Sequence, residues 1–521
     1  MKRRQLPVLF QGLRYTGYVL YLLFLAAVLL LLWHVRSQPL ELPILWGRIR
    51  VDSLGAFFAL LTLLVALVTL LLRELHPLLL FGMTLLLLPA FATSSLLLLA
   101  VSYLLATSLL IAARYADWRT HNRTSSTAHP KRSRSGSRRL RFSGHFWRTA
   151  PHALSSRLRT LPAALQSGVT RPRTLFLAEV TWLLLPCLCL GLGYAALQTQ
   201  SGTWRYNLPL AGAGLTSFVF WFVLLAALTG VGARVVVIDP TNTRRRGPDL
   251  LLALAWCYPL VRLYSLGPWN PGWHFATLLL GGALTLWAAW RALTGTVYAV
   301  RVRRLLAAQA GLALASIGLG TSAGLAAGCY ALLTVPLLLF GLAAEPDAAG
   351  TAGARPAGGW SLWLLSAGLP FTAPFVAAWM GIGAAAGAHM FLLAGIFWLA
   401  TLLATLTLAQ FAGRPPPVRG RRRIVAAGVS LVLGGAAPGV ISLLIRPIVQ
   451  QLQGGMTPFG DLELWPWGGL LALDSARRTV AALPSATIVA LMLVLGALAW
   501  LLIRLNAALR TNRPTADDAH G

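Results

Sequence analysis

Apolar runs of about twenty residues recur along the whole chain, and no other feature restricts its fold as much. A hydrocarbon core about 30 Å thick is crossed by roughly 20 helical residues. About fourteen such runs can be traced, over 18–35, 51–73, 76–93, 94–114, 174–197, 209–233, 249–265, 273–295, 304–322, 324–344, 360–384, 388–411, 423–447 and 482–505. They are continuous rather than alternating, which favours helices over the strands of a barrel. Charged residues make up 11% of the chain, against about 25% in soluble domains. The predicted fold is therefore all-α, a polytopic bundle of about fourteen transmembrane helices with the lipid bilayer as its first partner. The basic opening MKRRQLPVLFQGLRY leads into a long run with no small-residue cleavage site, so the first span is expected to be retained. Cys187, Cys189, Cys257 and Cys329 all fall within spans and read as small buried residues.

The net charge of +30 is unevenly placed. From Arg114 to Arg173 there are fourteen Lys or Arg residues and one acid, Asp117. Further basic clusters lie at Lys2–Arg4, Arg244–Arg246, Arg301–Arg304 and Arg419–Arg423, each at the N-terminus or between an even and an odd span. The positive-inside rule then puts both termini in the cytoplasm of a multi-pass protein of the cell inner (plasma) membrane. Four regions follow: 1–114 with the first four helices; 115–173, a basic Ser/Arg-rich cytoplasmic loop; 174–412 with helices five to twelve; and 413–521 with the last two helices and a short tail.

The loop begins with the low-complexity, charged composition of disorder. It continues as FWRTAPHALSSRLRTLPAALQ, which alternates arginines with Phe146, Trp147, Leu154, Leu158, Leu161 and Leu165, as an amphipathic helix on an anionic leaflet does. Anionic lipid headgroups are its expected partner, a protein the alternative, and no nucleic acid is expected. The sequon at Asn122 is idle in a cytoplasmic position.

Several segments, taken in order, resemble the proton-translocating membrane subunits of NADH-quinone oxidoreductase and of Mrp-type cation/proton antiporters. RIRVDSLGAFFALLTLLVALV is similar to an early family helix with an Asp-Ser-Leu opening, which makes Asp52 its aspartate; SSLLLLAVSYLLATSLLIAARY and LCLGLGYAALQTQSGTWRY follow. FVLLAALTGVGARVVVIDP is similar to a broken helix of the form Gly-x-x-Lys-x-x-x-x-Pro, with Arg234 at the lysine and Pro240 near the break. CYPLVRLY matches Gly-x-Tyr-x-x-x-Arg-Leu through Arg262, and RVRRLLAAQAGLALASIGLG matches the helix after it. LSAGLPFTAPFVAAWMG resembles a second broken helix, with Pro370 and Pro374 at the interruption. The likeness spans about residues 48 to 412. It implies two broken helices in antiporter-like inverted repeats, where a helix break is tolerated because it faces protein or water; a plain proline kink is the alternative.

The resemblance also implies a chain of buried lysines with a glutamate partner, and this sequence lacks both. Its only lysines are Lys2 and Lys131, and the family positions fall near Val101 or Ser102, Leu254, Leu337 or Leu338, and Ala378. Arg234 is the one positional substitute. Its guanidinium keeps its proton, so it can hold a charge or snorkel to the headgroups but not relay. Glu179, about one turn into its span, and Asp239, beside Pro240, complete the ion-pathway candidates; Glu179 can equally be interfacial. Arg291, His389 and Arg446 sit near span ends.

No phosphate loop, Cys-x-x-Cys, His-Glu-x-x-His or Gly-x-Ser-x-Gly motif is present, so no catalytic residue, cofactor or metal is expected. Three functions remain open. The resemblance implies a membrane subunit of a proton- or cation-translocating complex, with other membrane subunits as partners. The missing relay allows a non-conducting scaffold or assembly subunit of such a complex. A polytopic enzyme acting on lipid-linked substrates is the third.

Overall fold

The structure, a computed structural model, describes residues 2–36, 39–44, 47–72, 77–92, 95–127, 173–201, 217–236, 246–266, 271–295, 297–343, 360–369, 371–412, 420–452, 462–465, 469–473, 479–484 and 494. In chain order come α1 (Lys2–Val35), the hairpin β1 (Leu40–Ile44) and β2 (Gly47–Val51), α2 (Ser53–Leu71), α3 (Pro77–Phe91), α4 (Leu96–Thr127) and α5 (Arg173–Ser201). Next are α6 (Ser217–Val236), α7 (Arg246–Ala255), α8 (Cys257–Leu266), α9 (Pro271–Thr294), α10 (Tyr298–Gly318) and α11 (Ser322–Leu342). The rest comprises α12 (Trp360–Trp363), α13 (Ala373–Gly387), α14 (Phe391–Ala412), α15 (Gly420–Gly435), α16 (Ala437–Val440), a π-helical turn (Ile441–Ile445) and α17 (Arg446–Leu452). An antiparallel sheet follows, in the order β3 (Leu462–Trp465), β4 (Gly469–Leu473), β5 (Thr479–Pro484).

Local chemistry sets the helix starts. Asp52 caps α2 by accepting the Gly55 amide at 2.8 Å, and Thr321 caps α11 by accepting the Gly324 amide at 3.0 Å. Within helices, threonine hydroxyls bond the carbonyl four residues back, as Thr69 does to Val65 (2.7 Å), Thr285 to Gly281 (2.6 Å) and Thr401 to Phe397 (2.7 Å). Each polar group is thus satisfied within its own helix, which is what an apolar surround demands.

Among the described residues seven helices are long and apolar enough to cross a membrane, and the pair Arg421–Gly435 and Ala437–Leu452, bent by 71°, has that length and apolarity only when its two helices are taken together. The protein is a multi-pass membrane bundle. α11 lies at its centre, almost wholly buried, with α10 packed on it. α9 and α10 approach closely because Gly281 faces the Ala315 backbone and Gly311 faces Thr285. α1 and α5 lie at the periphery and turn apolar side chains such as Leu22, Leu30 and Leu188 outward.

The structure departs from the sequence reading in several places. α1 reaches back to Lys2, ahead of its apolar span Tyr15–Val35, and the short sheets were not foreseen. α4 continues as helix to Thr127, into the segment expected to open as disorder. The run 249–265 is two helices that meet at Trp256, whereas the break expected near Pro240 lies outside the described residues. The last expected span, 482–505, also lies almost entirely outside them.

Candidate functional site

The break between α7 and α8 is flanked by charge at both ends. Asp52 sits at the start of α2; its Oδ1 is engaged by the Gly55 amide, and its Oδ2 accepts a hydrogen bond from Nη1 of Arg262 on α8. The side chains of both are almost fully buried, Arg262 at 7% and Asp52 at 3% exposure. Gly55 is required here, since a Cβ would collide with the Phe91 carbonyl oxygen at the end of α3. Tyr258, one turn before Arg262, donates to that same carbonyl at 3.4 Å and packs edge-on against Phe58 and Phe91. Ser53 ties in two further elements, its hydroxyl donating to the Val35 carbonyl and its amide to Oε1 of Gln451 on α17.

The second pair lies at the other end of the broken span. Asp249, in the first turn of α7, accepts a hydrogen bond from Arg114 on α4. Exposure of the two side chains is 5% and 9%. Thirteen residues separate Asp249 from Arg262, on the order of 20 Å of helix rise. Between them residues 250–261 are buried and carry no carboxylate, lysine or histidine. At the break the Ala255 carbonyl receives the Tyr103 hydroxyl at 2.6 Å, and Trp256 lies flat against Gly230 of α6, where a Cβ would overlap the ring.

The second break has a different lining. α12 ends at Trp363, and residues 364–369 and 371–372 are turns and bends that precede α13. Thr372 caps α13 by accepting the Phe375 amide, while its hydroxyl donates to the carbonyls of Ser366 (3.0 Å) and Leu369 (2.9 Å). Ser430 of α15 donates to the Leu364 carbonyl at 2.7 Å and accepts the Ala373 amide at 3.3 Å, so it bridges the interruption. Phe371 has φ +66, the left-handed region, and its carbonyl rests on Gly434.

The sequence candidates fall as follows. Pro374 is buried in the first turn of α13, where proline's fixed φ suits a helix start and its missing N–H is no loss. Glu179 belongs to α5 and Arg234 to α6, two helices packed on each other, with both side chains outside the described part of the structure. Asp239, Pro240 and Pro370 lie outside the described residues. No group of three or more metal-ligating side chains is found among the described residues.

No family model matches the sequence, and no curated protein matches it. Solved structures do. A chain of the Mrp complex from Dietzia sp. DQ12-45-1b is 15% identical and superposes with a TM-score of 0.60, over 86% of this chain and 95% of that one. A chain of the membrane-bound sulfane sulfur reductase, an archaeal respiratory membrane complex, gives 14% identity and 0.60, over 96% and 81%. A chain of respiratory complex I from Thermus thermophilus gives 18% and 0.57, over 87% and 98%. The fold is Mrp-like and complex I-like.

Within this Mrp-like fold, Asp52 and Arg262 had each been picked out by motif, yet nothing in the sequence joined two residues 210 positions apart. Asp249 was missed. The signal was available: an acid at the head of an apolar run must find a partner or water.

Proposed function

We propose that the chain is a membrane subunit of a multisubunit proton- or cation-translocating assembly of the Mrp and complex I kind, and that its own role there is structural. Placement in an assembly rests on the likeness of fold along nearly the whole of the Mrp-complex chain. The structural role rests on one observation: both buried carboxylates of the described core, Asp52 and Asp249, accept from arginines, which keep their protons, with an apolar stretch between the pairs. Such pairs hold helices together; they do not hand on a proton. The cytoplasmic location of both termini in a plasma membrane, and the docking of 115–173 on anionic headgroups, are carried by charge distribution and belong to the same proposal.

A second reading makes the subunit conducting, through Glu179, Asp239 and waters, with Arg234 as a fixed charge beside them. What favours it is the packing of α5 on α6, which carries two of those residues into one helix pair. Two measurements separate the readings. Mild-detergent purification of the tagged protein from its native membrane, with mass spectrometry, is expected to bring other membrane subunits at near-equal stoichiometry. Isolation of the chain alone overturns the assembly and brings the lipid-linked enzyme forward. Proton flux in proteoliposomes of the whole assembly is expected to be unchanged in Glu179→Gln and Asp239→Asn; loss of flux in either restores the conducting reading.

A further inference from the structure

Three of the described arginines at one end of the α9–α10 hairpin, Arg291, Arg301 and Arg304, are of two kinds. Arg301 is fully engaged: Nε donates to the Ala292 carbonyl at 2.9 Å, Nη2 donates to the Leu293 carbonyl at 2.7 Å, and Nη2 also reaches Oε1 of Gln410. It closes the C-terminus of α9, where helix carbonyls would otherwise lack partners and favour a cation. That work being done by Arg301, Arg291 and Arg304 are surplus positive charge. Arg304 is half-buried and held 4.2 Å over the Trp287 ring, and its Nη1, itself buried, has no hydrogen-bond acceptor. Arg291, one turn beyond Trp287 on α9, is exposed and close enough to repel it. None of α9, α10 or α14, the three helices that meet here, contains a carboxylate.

The apolar part of the patch faces outward. Trp290 is 56% exposed and Trp287 37%, both within the last two turns of a membrane-spanning helix. Tryptophan at that depth is suited to the headgroup layer, with its ring against acyl chains and its edge toward water. Two uncompensated arginines beside two outward indoles, on adjacent helices of which α9 is long and apolar enough to span, match a phosphodiester that carries acyl chains. A free anion leaves the indoles without use, and a neutral lipid leaves the arginines without a counter-charge.

We propose that Trp287, Trp290, Arg291 and Arg304 form a binding site for the phosphate of an anionic lipid headgroup. The site is separate from the basic segment 115–173 and does not depend on the role of the subunit. Each arginine near an anionic headgroup is worth about fivefold in affinity, so losing both costs about thirtyfold.

The test uses the purified full chain in mixed micelles with fluorescently labelled phosphatidylglycerol, and phosphatidylcholine and inorganic phosphate as competitors. Phosphatidylglycerol is expected to bind well above phosphatidylcholine, R291Q/R304Q to bind it about thirtyfold more weakly, and R132Q/R134Q/R138Q/R139Q in the basic segment to leave this site unchanged. Should the double variant fail to fold, R291Q alone alters an exposed side chain and is expected to cost about fivefold. Unaltered affinity in R291Q, or equal binding of phosphatidylcholine, overturns the site. Displacement by inorganic phosphate as effective as by lipid overturns the lipid and leaves a free-anion site.

Discussion

Around Trp256 the interruption between α7 and α8 is bracketed by two arginine–carboxylate pairs and closed by one tyrosine hydroxyl; around Phe371 the interruption between α12 and α13 is held by Thr372, Ser430 and a glycine pressed against a carbonyl. A broken membrane helix frees backbone groups that must be satisfied inside the protein. The first break leaves few of them, because the two helices nearly abut, and its charges serve to fasten the ends to α2 and α4. The second opens a longer stretch, and the hydroxyls of Thr372, at its end, and of Ser430 on α15 are spent on its carbonyls and amides. The charge at the first break is therefore a matter of assembly between helices, and the hydroxyls at the second are a matter of local backbone repair.

This contrast can be broken most directly at Asp52. Asp52→Ala leaves Arg262 buried and uncompensated, and unfolding in detergent is expected to show a loss of about 3–5 kcal/mol. The paired change Asp52→Leu with Arg262→Met removes both charges and should recover most of it. A single-variant loss no larger than that of the paired change would falsify the clamp. Gly434→Ala drives a methyl into the Phe371 carbonyl, a backbone atom that cannot swing away, and is expected to cost about 3 kcal/mol, read as a lowered thermal midpoint. Ser430→Ala strips two hydrogen bonds from the second break for about 1–3 kcal/mol, most of it from leaving the Leu364 carbonyl unsatisfied. Tyr103→Phe should cost the least, about 1 kcal/mol, since one carbonyl is involved. If Tyr103→Phe outweighs Ser430→Ala, the first break leans on its hydroxyl and the division between the two chemistries fails.

The spans were legible because the bilayer imposes one length and one polarity on every crossing, and thirteen of the fourteen expected runs fall on described helices or helix pairs. What was not legible follows from the same cause. Hydropathy does not show the break at Trp256; its local signal is Pro259, which has no N–H for the Ala255 carbonyl four residues back, and that signal was missed. The hairpin β1–β2 is too short to show a strand period. The pairing of Asp52 with Arg262 depends on which helices become neighbours, here α2, α3 and α8, which meet where Gly55 and Tyr258 both lie against Phe91. Pro374, expected at the interruption of a broken helix, stands in the first turn of the helix that follows it, a detail that the preceding Thr372 signals only once the cap is recognised.

The position of Asp52 and Arg262 near an end of their helices also bears on how the chain is made. They are 210 residues apart, so at about 5–20 residues per second a ribosome needs roughly 10–40 s to deliver the second after the first. A carboxylate at the midplane would spend that interval stranded in hydrocarbon. At the margin, Asp52 can stay hydrated while α2 inserts, and it surrenders its water only when α8 arrives. The pair thus acts as a late latch in biogenesis, closing after the individual spans are already in place, and a truncated chain ending before Arg262 should leave Asp52 open to aqueous carboxylate-modifying reagents.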